Sequence, residues 1–256
     1  MTTMTISSGA RARLFTSAPL VGLLLALLAV ILLALAPLGY RAGWWPYRVS
    51  LTYLMPYAGY VGVAAAVISA AALIFGFRTL SRGGIVMAGF GLVIGLAFTY
   101  VPWSWNHVRG TMPPIHDITT DIDNPPQFVA VLPLRQAEKA NPVTYDPKVG
   151  QQQKQGYPDI APVILPLPPE QAFKKALDTA RGRGWTIIAS DPASGRIEAS
   201  ERSRWMGFTD DVVIRVEAQS AGSRIDIRSV SRNGRSDFGV NAKRIRGYIA
   251  ALNAAG

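Results

Sequence analysis

The sequence predicts an α+β soluble domain, arranged as helix, four-stranded antiparallel sheet and helix, behind three transmembrane helices. Two observations divide the chain. Long apolar runs fill the first 105 positions, and all sixteen acidic residues lie beyond residue 116. A third observation gives the second half its class: beyond residue 168 the hydrophobic period switches from about 3.6 to 2 and back, as for helix, strands and helix. The chain therefore reads as a membrane anchor over residues 1–105, a proline-rich strap over 106–167 and an α+β domain over 168–256.

Residues 18–38 form an unbroken apolar stretch of 21 residues, close to the roughly 20 that a helix needs to cross about 30 Å of hydrocarbon. Arg11 and Arg13 ahead of it, with Ala34 and Ala36 near its end, also suit a secretory signal peptide. Against cleavage, the run exceeds the usual signal core of about 7–15 residues, and Pro37 would follow the cut. Residues 54–77 and 85–103 supply the second and third spans, joined by a turn so short that the two must be antiparallel.

Arg11, Arg13, Arg41, Arg48, Arg78 and Arg82 flank the apolar runs rather than interrupt them. Trp44, Trp45, Tyr47, Tyr53 and Tyr57, then Tyr100, Trp103 and Trp105, sit where interfacial anchors belong. In the third span Gly84 with Ala88 and Gly91 with Gly95 permit close helix approach. No ionisable side chain lies inside a span, which argues against an ion path or a proton relay. With the N-terminus inside, Arg11, Arg13, Arg78 and Arg82 face the cytoplasm against Arg41, Arg48 and Arg109 outside. That count places the soluble domain outside the cytoplasm of a bacterial-type inner (plasma) membrane.

Beyond the anchor, twenty basic residues oppose sixteen acids, about +4, too weak a balance for duplex nucleic acid. With no cysteine, disulfides, thiolate nucleophiles and Cys-ligated metals are excluded. Twelve of the eighteen prolines fall between Pro113 and Pro169, so this strap cannot be regular helix and should run extended, as polyproline or edge strand. Its apolar segment from Phe128 to Leu132 should dock on the core.

In the domain, Phe173, Ala176, Leu177 and Ala180 form a helical stripe. Trp185 to Ser190 and Arg196 to Glu201 make a hairpin that turns Trp185, Ile187 and Ala189 to the side of Ile197 and Ala199. A second hairpin, Asp211 to Ala218 and Ser223 to Val230, turns at Gln219 to Gly222 and sets Val216 opposite Ile225 and Ile214 opposite Ile227. Its other face pairs Arg215 with Asp226 and Glu217 with Arg224, as on a solvated sheet surface. The last helix takes Ser236 or Asp237 as N-cap, buries Phe238, Val240, Ile245, Ile249 and Leu252, and exposes Lys243, Arg244 and Arg246.

Two polar concentrations stand outside this framework. His116, Asp117, Asp121 and Asp123 with Asn124 could hold a hard cation, although the spacing is not that of a calcium loop, and turn capping is the plainer role. Arg228, Arg232, Asn233 and Arg235 lead into the last helix, where arginines and helix-start amides suit a phosphate or carboxylate; the alternative is that Asn233-Gly234 is simply a turn and the arginines pair with Asp210, Asp211 and Asp237. Asp210 and Asp211 are the carboxylates a hydrolase would use, but no triad or nucleophile elbow is visible and His107 and His116 are the sole histidines. No cofactor and no metal site is expected, and enzymatic activity is not favoured.

Several blocks resemble a known family: Ile115 to Asp121 with Asn124-Pro125-Pro126, Tyr157 to Ile160, Gly195 to Ala199, Phe208 to Val212, and Ile227 to Arg232 through Asp237 to Ala242. Over roughly residues 113–252 the chain is similar to the domain-of-unknown-function 1499 family; the membrane half lies outside the likeness. The resemblance implies a domain boundary and carries no activity, substrate or catalytic residue. The resulting expectation is a membrane protein whose domain binds an anionic envelope component, such as an anionic lipid, or a membrane-protein partner, with a metal-dependent hydrolase or a scaffold for a membrane complex as the alternatives.

Overall fold

The computed structural model describes residues 8–76 and 78–254, in two compact units, Met1–His107 and Val108–Gly256. The first unit holds three helices long and apolar enough to cross a membrane: Ser17–Arg41, Tyr47–Gly76 and Arg82–Tyr100. They belong to α1 (Ser8–Arg41), to the continuous run of α2 (Tyr47–Val49), a π-helical turn (Ser50–Leu54) and α3 (Met55–Gly76), and to α4 (Arg82–Thr111). The π-turn precedes Pro56, whose missing N–H leaves a carbonyl of the previous turn without its α-helical donor. Ser50 helps to seat it, its hydroxyl donating to the Ala36 carbonyl at 2.6 Å and accepting from Trp45 Nε1 at 3.0 Å.

Small residues let these helices touch. A Cβ built on Gly95 would lie 2.6 Å from the Ala66 backbone nitrogen and 2.7 Å from the Gly62 carbonyl oxygen. A side chain on Gly91 or Gly22 would collide with Ser69 Oγ. Of the two small-residue pairs in the third span, Gly91 and Gly95 thus sit at the helix crossing. Gly84 meets only Leu80 and Ser81 of its own turn.

In the second unit the sheet has six strands, not the expected four. They are β1 (Asp117–Thr119), β2 (Val163–Leu165), β3 (Thr186–Asp191), β4 (Arg196–Arg202), β5 (Thr209–Gln219) and β6 (Gly222–Ser231), in the order β1-β6-β5-β4-β3 with β2 also on β6. Both extra strands come from the strap and share the outer edge of β6, β1 against residues 228–230 and β2 against 223–225. At three residues each, they are too short to show a hydrophobic period.

The strap also contains two helices, against the expectation that its prolines forbid them: α5 (Leu132–Ala137) and α6 (Pro147–Gly156). Proline stands in the first turn of each, where its missing N–H has no intrahelical role. Asp146 caps α6 by accepting the Lys148 amide at 2.9 Å.

One sheet face carries the apolar core. Ile197, Ala199, Val212, Ile214, Val216, Ile225 and Ile227 pack under α7 (Pro169–Gly182) and α8 (Val240–Ala254) with Phe173, Ala176, Trp185, Ile245, Tyr248 and Leu252. Val216 faces Ile225 and Ile214 faces Ile227, in the anticipated register. A β-bulge between Ile187 and Ala189 changes the first hairpin, because Ala189 opposes Glu198 rather than continuing the inward row. Ile188 instead packs with Val213, Val230, Phe128 and Val131 on the far face.

Asp237 caps the last helix, accepting from the amides of Gly239 and Asn241 at 2.9 and 2.8 Å. Val240 is 46% exposed and Phe238 only half-buried, so the helix begins outside the core. Arg244, expected on the exposed side, is 5% exposed.

Candidate functional site

Alternation along the strands divides the polar residues between the two sheet faces. At one end of the helix-facing side the apolar rows become polar: Val212 gives way to Asp210, and Ile227 to Ser229 and Ser231. Arg244 and Asn241 of α8 fill this corner. Arg244 Nη2 donates to Asp210 at 2.6 Å, Nη1 to Ser229 Oγ at 3.1 Å, and the guanidinium also binds Glu201 and Asn241. Burial acts to lower the Arg244 pKa, but the Asp210 and Glu201 carboxylates hold it above its ordinary value. Asp237 beside it is pushed up, chiefly by burial.

The opposite face lies under the strap and is ionic rather than apolar. Arg228, fully buried, makes a two-pronged contact with Asp117 (3.0 and 2.7 Å) and donates to the carbonyls of Pro126 and Val143 at 3.2 and 2.7 Å. The rings of Phe128 and Tyr145 lie 5.5 and 5.3 Å from its guanidinium carbon. Burial pushes the Tyr145 phenol up to about 12.

Two arginines share the Asp211 carboxylate: Arg135 of α5 at 2.6 Å and Arg232 at 2.7 and 2.9 Å, while Ser200 also donates to it at 2.6 Å. Glu138 binds Arg232 at 2.6 Å and brings the cluster to neutrality. Desolvation lowers the Arg135 pKa, whereas hydrogen bonding to Asp211 raises that of Arg232. Farther along, Asp226 accepts from Arg215 (2.8 Å), Arg224 (2.9 Å) and Thr120 (3.2 Å), and Asp121 binds the same two arginines at 3.1 and 2.7 Å. Arg224 lies opposite Glu217 in register but reaches Asp226 and Asp121, and Glu217 pairs with Arg215 at 3.4 Å.

Glu198, fully buried in mid-sheet, organises the strap. Its oxygens accept three consecutive backbone amides, Val129 and Ala130 at 2.9 Å each and Val131 at 3.0 Å. Arg196 Nε lies 3.1 Å away but off the hydrogen-bonding axis, so it contributes as a neighbouring charge.

These contacts correct the anticipated site. The segments around His116 and Arg228 do meet, because β1 pairs with β6, but they neutralise each other internally. Arg228 and Arg232 are buried in carboxylate pairs and cannot present themselves to an outside anion. Asp117 and Asp121 are engaged by arginines while Asp123 is exposed, so the three carboxylates do not converge. Among the described residues no three acidic or histidine side chains gather as a metal site.

Asp210 and Asp211 are strand neighbours and point to opposite faces, so they cannot act as a dyad. His116 is half-buried, its Nδ1 3.4 Å from the Arg235 carbonyl oxygen, and Asn233 is half-buried in the loop. Arg235 alone of the expected anion contacts is exposed. Asp226 meets Arg215 as expected, whereas Arg135, Glu198, Asn241 and Arg244 were not anticipated in these roles, because each depends on a partner from another element.

Fold and site together define a membrane protein that carries a single α+β domain whose polar residues largely hold its own strap in place. Residues 117–252 match the family described as protein of unknown function (DUF1499), and the chain belongs to that family. The match starts at β1 and so includes the strap with the sheet. No curated protein matches the sequence.

Proposed function

We propose that this chain is a multi-pass protein of a bacterial-type inner membrane whose extracytoplasmic domain binds an anionic component of the cell envelope. The orientation rests on the arginine count of the flanking segments. A C-terminal alkaline phosphatase fusion is therefore expected to be active, and a green fluorescent protein fusion dark; a fluorescent, phosphatase-negative pair overturns the orientation.

The observation that carries the binding reading is a separation of charges. The internal arginines are paired with buried carboxylates; Arg202, Arg204, Arg235 and Lys243 are exposed at one end of the sheet. The acids Glu138, Asp159 and Glu201 are each bound to an arginine, Arg232, Arg246 and Arg244. Each cation held near an anionic surface contributes about 1 kcal/mol.

Full-length protein in phosphatidylcholine nanodiscs should float with added phosphatidylglycerol vesicles at low salt and release them at high salt. Arg204→Glu with Arg235→Glu should weaken this binding by about a hundredfold or more. Unchanged binding by the double variant removes this surface from the function. A second reading, docking of a partner protein, is favoured by Val129, Leu132 and Leu134, 50%, 41% and 43% exposed around α5 beside a groove of about 350 Å³.

A further inference from the structure

We infer that the anionic component is the headgroup layer of the very bilayer the chain crosses, met in cis by the end of the sheet that carries Arg202, Arg204, Trp205, Arg235 and Lys243. This rests on the anion-binding reading and adds which surface is bound.

The chain enters the domain at this end. Helix α4 stops at Thr111 and residues 112–114 lead to Ile115, whose carbonyl accepts the Asp237 amide at 3.0 Å; the next carbonyl, of His116, accepts the Ser231 amide at 3.0 Å. Arg202 pairs with Thr209 and Asp210 with Ser231, so the β4–β5 loop and the loop holding Arg235 project from the same end. The opposite end carries the β5–β6 turn, where Glu217 is paired with Arg215 and Asp191 with Arg196, so that end offers no comparable run of exposed cations. A domain so polarised, tethered by its basic end, is oriented by an anionic surface within a screening length of about 8 Å.

The β4–β5 loop is built to present its tryptophan. Ser203 and Phe208 close it, with Ser203 N–H donating to the Phe208 carbonyl at 2.8 Å and Phe208 N–H to Ser203 Oγ at 2.9 Å. Arg202 Nε donates to the Gly207 carbonyl at 3.0 Å, Gly207 takes φ +78°, and Met206 is buried as a plug. Between these fixed points Trp205 is 44% exposed, beside exposed Arg204. An indole flanked by arginines combines the interfacial preference of tryptophan with attraction to lipid phosphate. The anchoring geometry is preformed, so docking orders little additional chain.

The absence of cysteine makes site-specific labelling direct. Full-length Val240→Cys, at the exposed start of α8 beside the basic end, carries an environment-sensitive nitrobenzoxadiazole label and is reconstituted in nanodiscs of equimolar phosphatidylglycerol and phosphatidylcholine with headgroup spin-labelled lipid. Ala221→Cys in the β5–β6 turn serves as the distal reference. Docking in cis predicts strong quenching at 240, little at 221, and a fall at 240 to the distal level in high salt or with Arg204→Glu and Arg235→Glu.

Equal quenching at basic-end and distal sites overturns the inference. If the phosphatidylcholine nanodisc protein still captures anionic vesicles in that case, the anion-binding reading stands and only the cis surface falls. If capture also fails, both fall.

Discussion

Asp117→Ala should lower the unfolding free energy of the soluble domain by about 3–5 kcal/mol, the usual cost of removing one partner from a buried ion pair. Arg228 is fully buried, and Asp117 supplies both carboxylate oxygens that face it. The Pro126 and Val143 carbonyls solvate the guanidinium but do not neutralise it. With a typical total of about 5–15 kcal/mol, a loss of that size leaves the domain close to unfolding at physiological temperature. Removing both charges together, as Asp117→Leu with Arg228→Met, should recover about half of the loss. Recovery is incomplete because the two carbonyls then lack their donor. Hydrogen exchange of β5 and β6 peptides, measured on the full chain across a urea series, reads both effects. A loss below about 1 kcal/mol for Asp117→Ala would mean that Arg228 finds water or another carboxylate in the folded domain.

The same pair shows where reading the sequence reaches its limit. The β5–β6 register could be derived, because a short turn at Gln219–Gly222 and two alternating rows leave one in-phase arrangement, and Arg215 does meet Asp226. The other face was expected to be solvated, since charges on a strand normally mean water. What reverses this is the strap, whose Asp117, Thr120, Asp121 and Arg135 supply counter-charges and hydrogen bonds from far along the chain. Segments of three residues carry no period, and proline at a helix start looks the same as proline in a loop until the cap is seen.

Arg244 held a usable signal. The inward rows of β5 and β6 turn from Val212 and Ile227 to Asp210, Ser229 and Ser231, so the helix above had to supply polar groups, and Asn241 and Arg244 are spaced by three on one helical face. The expected anion site failed for a related reason. Arginines on a strand inside a sheet are more readily matched by neighbouring strands than by an outside ligand, and Arg235, beyond the strand, is the one left exposed.

Glu198→Ala should release the strap. Its carboxylate is the acceptor for three consecutive amides in a turn without an internal partner for them, and Arg196 Nε lies 3.1 Å away. Deleting it strands the buried Val131 amide at about 1–3 kcal/mol and the partly buried Val129 and Ala130 amides at less, for a loss of about 2–4 kcal/mol. The consequence should be local before it is global. Phe128 and Val131 pack on Val213 and Val230 only while this turn is seated, and Arg135 reaches Asp211 from the helix that follows. Exchange protection of amides 129–131 should therefore disappear, and proteolysis between Phe128 and Glu138 accelerate, in conditions where Ile225 and Ile227 stay protected against the α7–α8 core.

Glu198→Gln distinguishes charge from hydrogen bonding: it keeps one acceptor oxygen but turns an amide group toward donors, so it should recover part of the protection and not all of it. Full protection in Glu198→Ala would show that the apolar contacts of Phe128 and Val131 suffice to hold the strap. Uniform loss of protection across strap and core would show that they form one cooperative unit, with the strap as integral to the fold as the sheet it covers.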